Sequence, residues 1–248
     1  MYDYLLGGTD NFAADRAAAE AIIEVSPVVF ACVRANRAFL RRAVRYLAAD
    51  AGIRQFLDIG TGLPTAQNTH QVAQQVAPEC RVVYVDNDPI VLGHARALLT
   101  SAPEGACAYI DADLRDTDDI LRQAAGTLDF GKPVAVMLLC TMQYVPDADH
   151  PRAIISRLMS AVPSGSFLAM SDTTRDIDAE AMTTGAQRYN AKLGSAIFTP
   201  RTGAEYAGFF DHLSLVEPGL VPMPQWRPDP GSGAAQVIPM YAAIGRKT

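Results

Sequence analysis

The sequence predicts an α/β fold in which helices cover both faces of a mostly parallel sheet. Short apolar runs without polar alternation, at residues 56–59, 82–85 and 133–140, end in glycine or polar residues. Such runs are typical of parallel strands that are buried on both faces. Elsewhere, most clearly over residues 29–49, apolar side chains recur at helical spacing. The chain has 248 residues, of which 49% are hydrophobic, so we expect a single domain with a large core.

Charge and composition exclude several other classes. The formal net charge is −6, and no basic cluster indicates a nucleic-acid-binding surface. No apolar run approaches the roughly 20 residues of a membrane span, and no signal peptide is visible. The four cysteines, at positions 32, 80, 107 and 140, have no paired spacing, which favours buried thiols in a reducing compartment. We therefore expect a cytoplasmic protein that uses no metal and binds neither membrane nor nucleic acid, with its oligomeric state left open.

The first candidate site follows the first predicted strand. Asp58, Gly60, Thr61 and Gly62 lie at the carboxyl end of this strand, where glycines permit a tight turn and the close approach of a ligand. Open α/β sheets bind ligands outside the carboxyl ends of their strands. The dinucleotide fingerprint would require a third glycine at the position of Thr65, which counts against NAD or FAD without excluding them. No phosphate-binding P-loop is present.

The pattern Asp58-x-Gly60-x-Gly62 instead resembles the first motif of class I S-adenosylmethionine (SAM)-dependent methyltransferases. SAM carries an adenosine, a carboxylate, an ammonium and a sulfonium but no phosphate. A carboxylate such as that of Asp58 suits the cationic side of this ligand. The motif alone is shared with other α/β proteins, so further positions are needed.

Acidic residues at the end of the second predicted strand provide the next anchor. Asp86, Asn87 and Asp88 follow it directly, and an acidic side chain there accepts hydrogen bonds from both ribose hydroxyls of an adenosine. We assign this role to Asp86 and place Asn87 and Asp88 beside the adenine. Asp88 has an alternative role as the cap of a helix that begins at Pro89.

A broader resemblance covers essentially the entire chain. Residues 2–16, with Tyr-Asp-Tyr-Leu-Leu-Gly-Gly followed by Asp-Asn-Phe, resemble the opening of the actinobacterial S-adenosyl methyltransferase family formerly catalogued as a domain of unknown function. The resemblance continues through residues 34–42, 56–65, 83–89, 111–116 and 245–247. It implies a Rossmann-like class I methyltransferase fold, with a mostly parallel seven-stranded sheet, an antiparallel C-terminal edge hairpin and SAM as the cofactor. It does not supply a substrate.

The class I resemblance also implies roles after the third and fourth strands, and the strand-end position alone makes Asp172, after the fifth strand, a further candidate. Asp113 would bond the adenine amino group and Leu114 would cover the ring. The turn after the fourth strand would pass beside the methyl group of SAM, which makes Thr141 a cofactor candidate. In the same turn, Tyr144 either orients an acceptor or packs. Asp172, after the fifth strand, either binds or deprotonates an acceptor or caps the next helix.

Residues 1–50 are predicted to form an N-terminal helical cap on a Rossmann-like core at residues 51–248. Tyr4, Gly8 and Asn11 are candidates for a lid over the active site, because they combine an amphipathic ring, a flexible turn and a polar side chain. The alternative for this segment is a packing element or a dimer arm.

Two further predictions concern arginines and a proline-rich stretch. A guanidinium bonds a carboxylate bidentately. Arg16, Arg34 and Arg37 are therefore candidates to lie near the SAM carboxylate or an acidic acceptor, and of these we favour Arg34, with Arg37 also kept as a candidate at the substrate or lid.

Residues 218–233 are rich in proline and contain the only tryptophan, Trp226, and we predict that they form a surface loop.

The leading interpretation is a SAM-dependent methyltransferase that acts on a small molecule. Alignment of the reactants can supply much of the rate of methyl transfer, so the absence of a recognisable catalytic dyad does not count against it. A SAM-binding sensor or interaction protein without transferase activity is the alternative, because its binding residues would look the same. An NAD-dependent oxidoreductase is disfavoured by Thr65.

Overall fold

A computed structural model of the chain describes residues 2–9, 11–13, 16, 17, 19, 20, 23, 28–62, 67–89, 91, 100–193, 198–231 and 236–248. Within these residues, eight strands form a single sheet. They are β1 (Gln55–Ile59), β2 (Arg81–Asp86), β3 (Ala106–Asp111), β4 (Ala135–Leu139), β5 (Phe167–Thr173), β6 (Leu213–Leu215), β7 (Val221–Pro222) and β8 (Met240–Lys247).

Helices connect and cover the strands. The α-helices are α1 (Tyr2–Leu5), α2 (Val29–Ala49), α3 (Thr69–Val76), α4 (Thr117–Ala124), α5 (Pro151–Ser160), α6 (Ala179–Leu193) and α7 (Gly203–Ala207). Short 3-10 helices occupy Met142–Tyr144, Asp147–Asp149, Gly208–Phe210 and Met223–Gln225. None of the helices in the described part of the chain combines the length and hydropathy that a membrane span requires.

The strand order confirms the predicted fold class. The order is β3-β2-β1-β4-β5-β8-β6, and β7 also pairs with β8. Strands β1 to β5 run parallel, whereas β8 is antiparallel to its three neighbours. The two-residue β7 is an addition to the seven strands that were predicted. Chain order reverses between β1 and β4, and such a switch point leaves a crevice at the carboxyl ends of the strands.

The core explains why the strands read as unbroken apolar runs. Every residue of β1 and β4 is buried, because one apolar cluster lies on each face of the sheet. Helices α2 and α3 pack on one face, and α4 and α5 pack on the other. Two covered faces leave no solvent side that would require alternating polar residues.

Helix α2 has the bounds that were predicted, and the segment around Trp226 packs against it, which was not predicted. Residues 218–233 do not form only a surface loop, because Trp226 is 0% exposed and packs edge-on against Phe39, with ring centroids 5.3 Å apart. The buried guanidinium of Arg42 donates to the carbonyl of Trp226 at 2.8 Å and to that of Met223 at 3.2 Å. The prediction was wrong because prolines here shape a 3-10 helix that docks on α2.

The N-terminal segment packs on the start of α2. Leu5 is buried in a small separate cluster with Ala19 and Val33. The side chain of Asn11 donates to the carbonyl of Gly8 at 2.9 Å, and Arg16 donates to the side-chain oxygen of Asn11 at 3.0 Å. In the structure, these polar groups therefore stabilise the segment itself.

Some sequence predictions concern residues outside the described part. Thr65, on which the argument against NAD depends, is one of them. Pro89 is helical as predicted, but the continuation of its helix, apart from residue 91, also lies outside the described residues.

Candidate functional site

A cavity of about 420 Å³ lies at the carboxyl ends of β1 to β4, under helix α2. It brings together most of the predicted site residues from the glycine turn, the strand ends and the helix. Those that line it are Arg37, Asp58, Gly60, Thr61, Gly62, Asp86, Asn87, Asp113, Leu114, Thr141 and Tyr144. A volume of this size is typical of small-molecule sites.

The glycine turn after β1 presses against the turn after β4. Gly60 has φ +75°, and a Cβ placed on it would clash with the side chain of Thr141. The Thr141 hydroxyl donates to the carbonyl of Ile59 at 3.0 Å, and the amide of Gly60 donates to the carbonyl of Val85 at 2.8 Å. Only glycine fits this contact, so the turn presents its backbone to the cavity.

Asp86 is oriented by the same turn. The amide of Gly62, which has φ +62°, donates to Oδ2 of Asp86 at 2.7 Å. The amide of Asp88 donates to Oδ1 at 3.1 Å. Burial raises the pKa of the Asp86 carboxyl, and these amide bonds oppose that shift. The carboxylate is therefore held in one orientation on the cavity wall.

Asp58 is the most buried acidic group of the cavity, at 5% exposure. Oδ2 of Asp58 accepts a hydrogen bond of 2.6 Å from the hydroxyl of Thr69. Burial raises the pKa of Asp58 to about 6, while the Thr69 hydrogen bond and the charge of Arg37 lower it. Arg37 also donates to the carbonyl of Gln67 at 3.2 Å, which ties α2 to the chain before α3.

A row of aromatic polar groups beside Asp58 was not predicted. Tyr84 is the register partner of Asp58 on β2, and Tyr109 is the partner of Tyr84 on β3, so the three side chains share one face. The Tyr84 hydroxyl lies 2.8 Å from the backbone nitrogen and from Nδ1 of His70. The Tyr109 hydroxyl is buried and has no hydrogen bond among the described residues. The signal in the sequence was a tyrosine two residues before each acidic strand end.

Charged side chains form the β3 end of the cavity. Asn87 donates to Oδ2 of Asp113 at 3.1 Å, and Arg115 donates from its backbone amide to Oδ1 of Asp113 at 2.8 Å. The Arg115 guanidinium also bonds Asp113 at 3.0 Å and Asp149 at 2.6 Å. These bonds connect the loop after β3 with the loop after β4.

The β4 end of the cavity is aromatic. Tyr144, in the turn after β4, and Tyr189 of α6 both line the cavity, and Phe198 packs against both rings. Cys140, which directly precedes this turn, adopts φ +58°, a conformation that is uncommon for residues other than glycine. Tyr189 and Phe198 were not singled out in the sequence, because nothing local connects α6 with β4.

Asp172 does not line the cavity, and the prediction of contact with an acceptor is not supported by its position. At 3% exposure, it accepts a hydrogen bond from the amide of Gln143 at 3.2 Å. Burial raises its pKa well above the usual value, and the nearby charge of Arg201 opposes this. Arg201 donates to the carbonyls of Met142 and Val145, both at 2.7 Å. Asp172 and Arg201 thus hold the turn that carries Tyr144 from behind.

Five other predicted residues do not line the cavity. Arg34 is exposed, one helical turn before Arg37, so the arginine of α2 that reaches the cavity is the second candidate and not the favoured one. Tyr4, Gly8, Asn11 and Asp88 are also absent from its walls. In the structure, Tyr4, Gly8 and Asn11 belong to a segment that packs on α2, which was the alternative to a lid. A lid over the active site stays a prediction.

No group of three or more histidine, cysteine or acidic side chains in the described ranges is arranged to hold a metal ion. All four cysteines are free thiols.

Comparison with known proteins identifies the family. The sequence profile described as S-adenosyl methyltransferase matches residues 1–248. A DUF574 family protein from Streptomyces avermitilis is 45% identical with a TM-score of 0.95, covering 100% of this chain and 95% of that one. A candidate methyltransferase from Thermobifida fusca is 41% identical with a TM-score of 0.90, covering 99% of this chain and 92% of that one.

More distant structures share only the fold. Human N-acetylserotonin methyltransferase, solved in complex with SAM, is 13% identical with a TM-score of 0.54, covering 100% of this chain and 62% of that one. The comparison with curated proteins gives no match. The profile match over the whole length and the two actinobacterial structures show that this chain belongs to the S-adenosyl methyltransferase family and is a SAM-dependent methyltransferase.

Proposed function

We propose that the cavity binds SAM and that the protein transfers the methyl group of SAM to a small-molecule acceptor. One observation carries this proposal: the carboxylate of Asp86 is fixed on the cavity wall by the amide of Gly62 at 2.7 Å. A fixed carboxylate at the end of the second strand is suited to the two hydroxyls of a ribose. The backbone of the glycine turn beside it leaves room for the ligand to approach closely.

The remaining charges suit the other groups of SAM. Asp58 provides a negative charge for the ammonium group and Arg37 a positive charge for the carboxylate, and both line the cavity. Asp113 and Leu114 would hold the adenine at the β3 end. The buried Tyr109 hydroxyl, which has no hydrogen bond among the described residues, supports the presence of a polar ligand atom in this part of the cavity.

The chemistry requires little from the protein beyond alignment. When bound, SAM would supply a methyl group on a positively charged sulfur, and an acceptor lone pair that attacks the methyl carbon would displace the sulfur as a neutral thioether without another cofactor. The side chains of the β4 end hold the acceptor and exclude water from it. Burial raises the pKa values of the Cys140 thiol and the Tyr144 phenol well above their usual values, so both stay neutral at pH 7.

We also propose that the acceptor is a small molecule and that the protein works in the cytoplasm without binding nucleic acid. A cavity of about 420 Å³ suits a small acceptor better than a macromolecule. The net charge of −6 is unfavourable for nucleic acid, and the four free thiols suit a reducing cytoplasm.

Calorimetric titration of the purified chain with SAM, with its demethylated product and with NAD tests the cofactor. We expect the first two to bind at one site and NAD not to bind. Binding of NAD without binding of SAM would overturn the proposal. Incubation with SAM carrying a radiolabelled methyl group and a broad panel of small acceptors then tests transfer. Tight SAM binding without transfer to any acceptor class would favour a sensor.

A further inference from the structure

The charges of the cavity are confined to one part of it. The charged lining residues are Arg37, Asp58, Asp86, Asp113 and Arg115. They come from α2 and from the ends of β1, β2 and β3. The lining residues after β4 and on α6 are Cys140, Thr141, Tyr144, Val145 and Tyr189, and none of these is charged.

The uncharged part has an aromatic wall. The ring centroids of Tyr144 and Tyr189 are 6.3 Å apart, and Phe198 lies 5.8 Å from the first and 5.5 Å from the second. The planes of the three pairs are tilted by 41° to 58°. These spacings fall in the range in which aromatic rings attract one another, so the cluster can extend to a further ring.

This wall is fixed in advance by hydrogen bonds behind it. Arg201 holds the carbonyls on either side of Tyr144, and the amide of Thr199 donates to the carbonyl of Gln143 at 2.7 Å. Asn190 bonds both backbone groups of Phe198, at 3.1 Å to the carbonyl and 2.6 Å from the amide. A wall that is ordered before binding loses little entropy when a ligand docks on it.

We propose that the β4 end of the cavity is an acceptor subsite for an uncharged, planar aromatic small molecule that stacks against Tyr189 and Tyr144. This rests on the proposed function, because SAM in the charged part leaves the aromatic part for the acceptor. A charged acceptor would be desolvated at this end of the cavity without a partner of opposite charge among the described lining residues after β4 and on α6, which is unfavourable. A saturated, non-planar acceptor would fill the space but would lose the ring contacts.

Three probes with one carbon skeleton test the proposal: 2-naphthol, which is planar and neutral, decahydro-2-naphthol, which is saturated, and 2-naphthoate, which is charged. Binding of each to the full chain is measured by calorimetry at a saturating concentration of the demethylated product of SAM. We expect 2-naphthol to bind about tenfold more tightly than either of the others, since only a planar, neutral ring system keeps its contacts with the aromatic rings without desolvating a charge. Equal binding of decahydro-2-naphthol, tighter binding of 2-naphthoate or no binding of 2-naphthol would overturn the proposal.

Matched variants locate the subsite. Tyr189→Leu should weaken 2-naphthol about threefold to tenfold while leaving decahydro-2-naphthol and SAM nearly unchanged. Tyr241→Leu removes a ring that does not line the cavity. It should leave the binding of 2-naphthol, of decahydro-2-naphthol and of SAM unchanged. If Tyr189→Leu does not fold, Phe198→Leu tests the same wall from behind. An unchanged preference in the variant that folds would refute the subsite.

The same titrations separate this proposal from the proposed function. Absence of SAM binding would show that the cofactor assignment is wrong. Normal SAM binding together with no preference for the planar probe would show that only the acceptor subsite is wrong.

Discussion

The amide of Gly62 and the carboxylate of Asp86 form a 2.7 Å hydrogen bond between residues 24 positions apart. It joins the turn after β1 to the end of β2, so the two sequence motifs that indicate a nucleoside site form one structural unit. Gly62 makes this bond in a backbone conformation with φ +62°, which glycine adopts without steric cost.

Asp86→Asn should weaken SAM binding by about 1–3 kcal/mol, as the ribose hydroxyls lose a charged acceptor. Asparagine retains one oxygen, which can accept from the amide of Gly62 but not also from that of Asp88, so one local hydrogen bond is lost while the fold should be preserved. Asp111→Asn is the matched control, because Asp111 is the exposed register partner of Asp86 on β3 and does not line the cavity. Calorimetry on both variants measures the effect. Equal SAM affinities of the Asp86→Asn and Asp111→Asn proteins would show that Asp86 does not contact SAM.

Gly60→Ala should destabilise the protein more than Gly62→Ala. Both glycines have positive φ, which costs a substituted residue about 1–2 kcal/mol. At Gly60 the added Cβ would also clash with the side chain of Thr141, whereas no described atom lies within 4 Å of the corresponding position on Gly62. We expect an additional loss of about 1–3 kcal/mol at Gly60.

Urea unfolding of the two glycine variants measures this difference. Adding Thr141→Ala to Gly60→Ala should recover part of the loss, because the side chain that causes the clash is shortened. Equal unfolding free energies for the two single variants would show that the Thr141 side chain can move away from the added Cβ without loss of stability.

Asp58→Asn should change stability in a pH-dependent way. The carboxyl of Asp58 has a pKa near 3.8 when unfolded and about 6 when folded, because burial disfavours its charge. Below the unfolded value both states are protonated and the wild type and the variant should be equally stable. As the pH rises toward 6, only the unfolded state ionises, so the wild type loses stability, up to about 3 kcal/mol above pH 6.

Urea unfolding of the wild type and Asp58→Asn from pH 4 to pH 7.5 tests this shift. The variant should be more stable at pH 7.5 and bind SAM less tightly, because it lacks the charge that faces the ammonium group. Thr69→Val removes the hydroxyl that stabilises the ionised form of Asp58. In this variant, the loss of stability with rising pH should therefore extend to higher pH than in the wild type. A constant stability difference over the whole range would contradict the assignment.

Arg201→Met should destabilise the protein by about 3–5 kcal/mol, because two buried carbonyls lose their donor and Asp172 loses the nearby positive charge. Arg175→Met is the control: Arg175 is exposed and pairs with Glu205 at 2.7 Å, a contact worth less than about 1 kcal/mol. Thermal or urea unfolding measures both. Similar losses in the two variants would mean that Arg201 does not hold the turn.

The fold was predictable where the signal is local and periodic. Residues 29–49 form α2 with the expected bounds, since apolar residues at helical spacing define both the helix and its buried face. Residues 55–59 and 81–86 were predictable as strands because both faces are buried. The glycine turn and Asp86 followed from the position of strand ends in any open α/β sheet.

The remaining features depend on contacts between segments that are distant in the sequence. Arg34 and Arg37 lie on one helix, and only the packing of α2 on the sheet decides which of them reaches the cavity. Trp226 was placed on the surface because prolines usually mark loops, yet the donors of Arg42 fix its backbone 184 residues away. The aromatic wall joins α6 to the turn after β4, and no local pattern encodes that pairing.

A crystal structure of the protein with the demethylated product of SAM would show directly whether the cavity binds the cofactor. We expect the ligand to fill the cavity, with its ribose hydroxyls bonded to the carboxylate of Asp86, its adenine beside Asp113 and Leu114, and its sulfur directed toward Tyr144. A ligand bound elsewhere, or bound in this cavity with its ribose away from Asp86, would show that the proposed cofactor site is wrong.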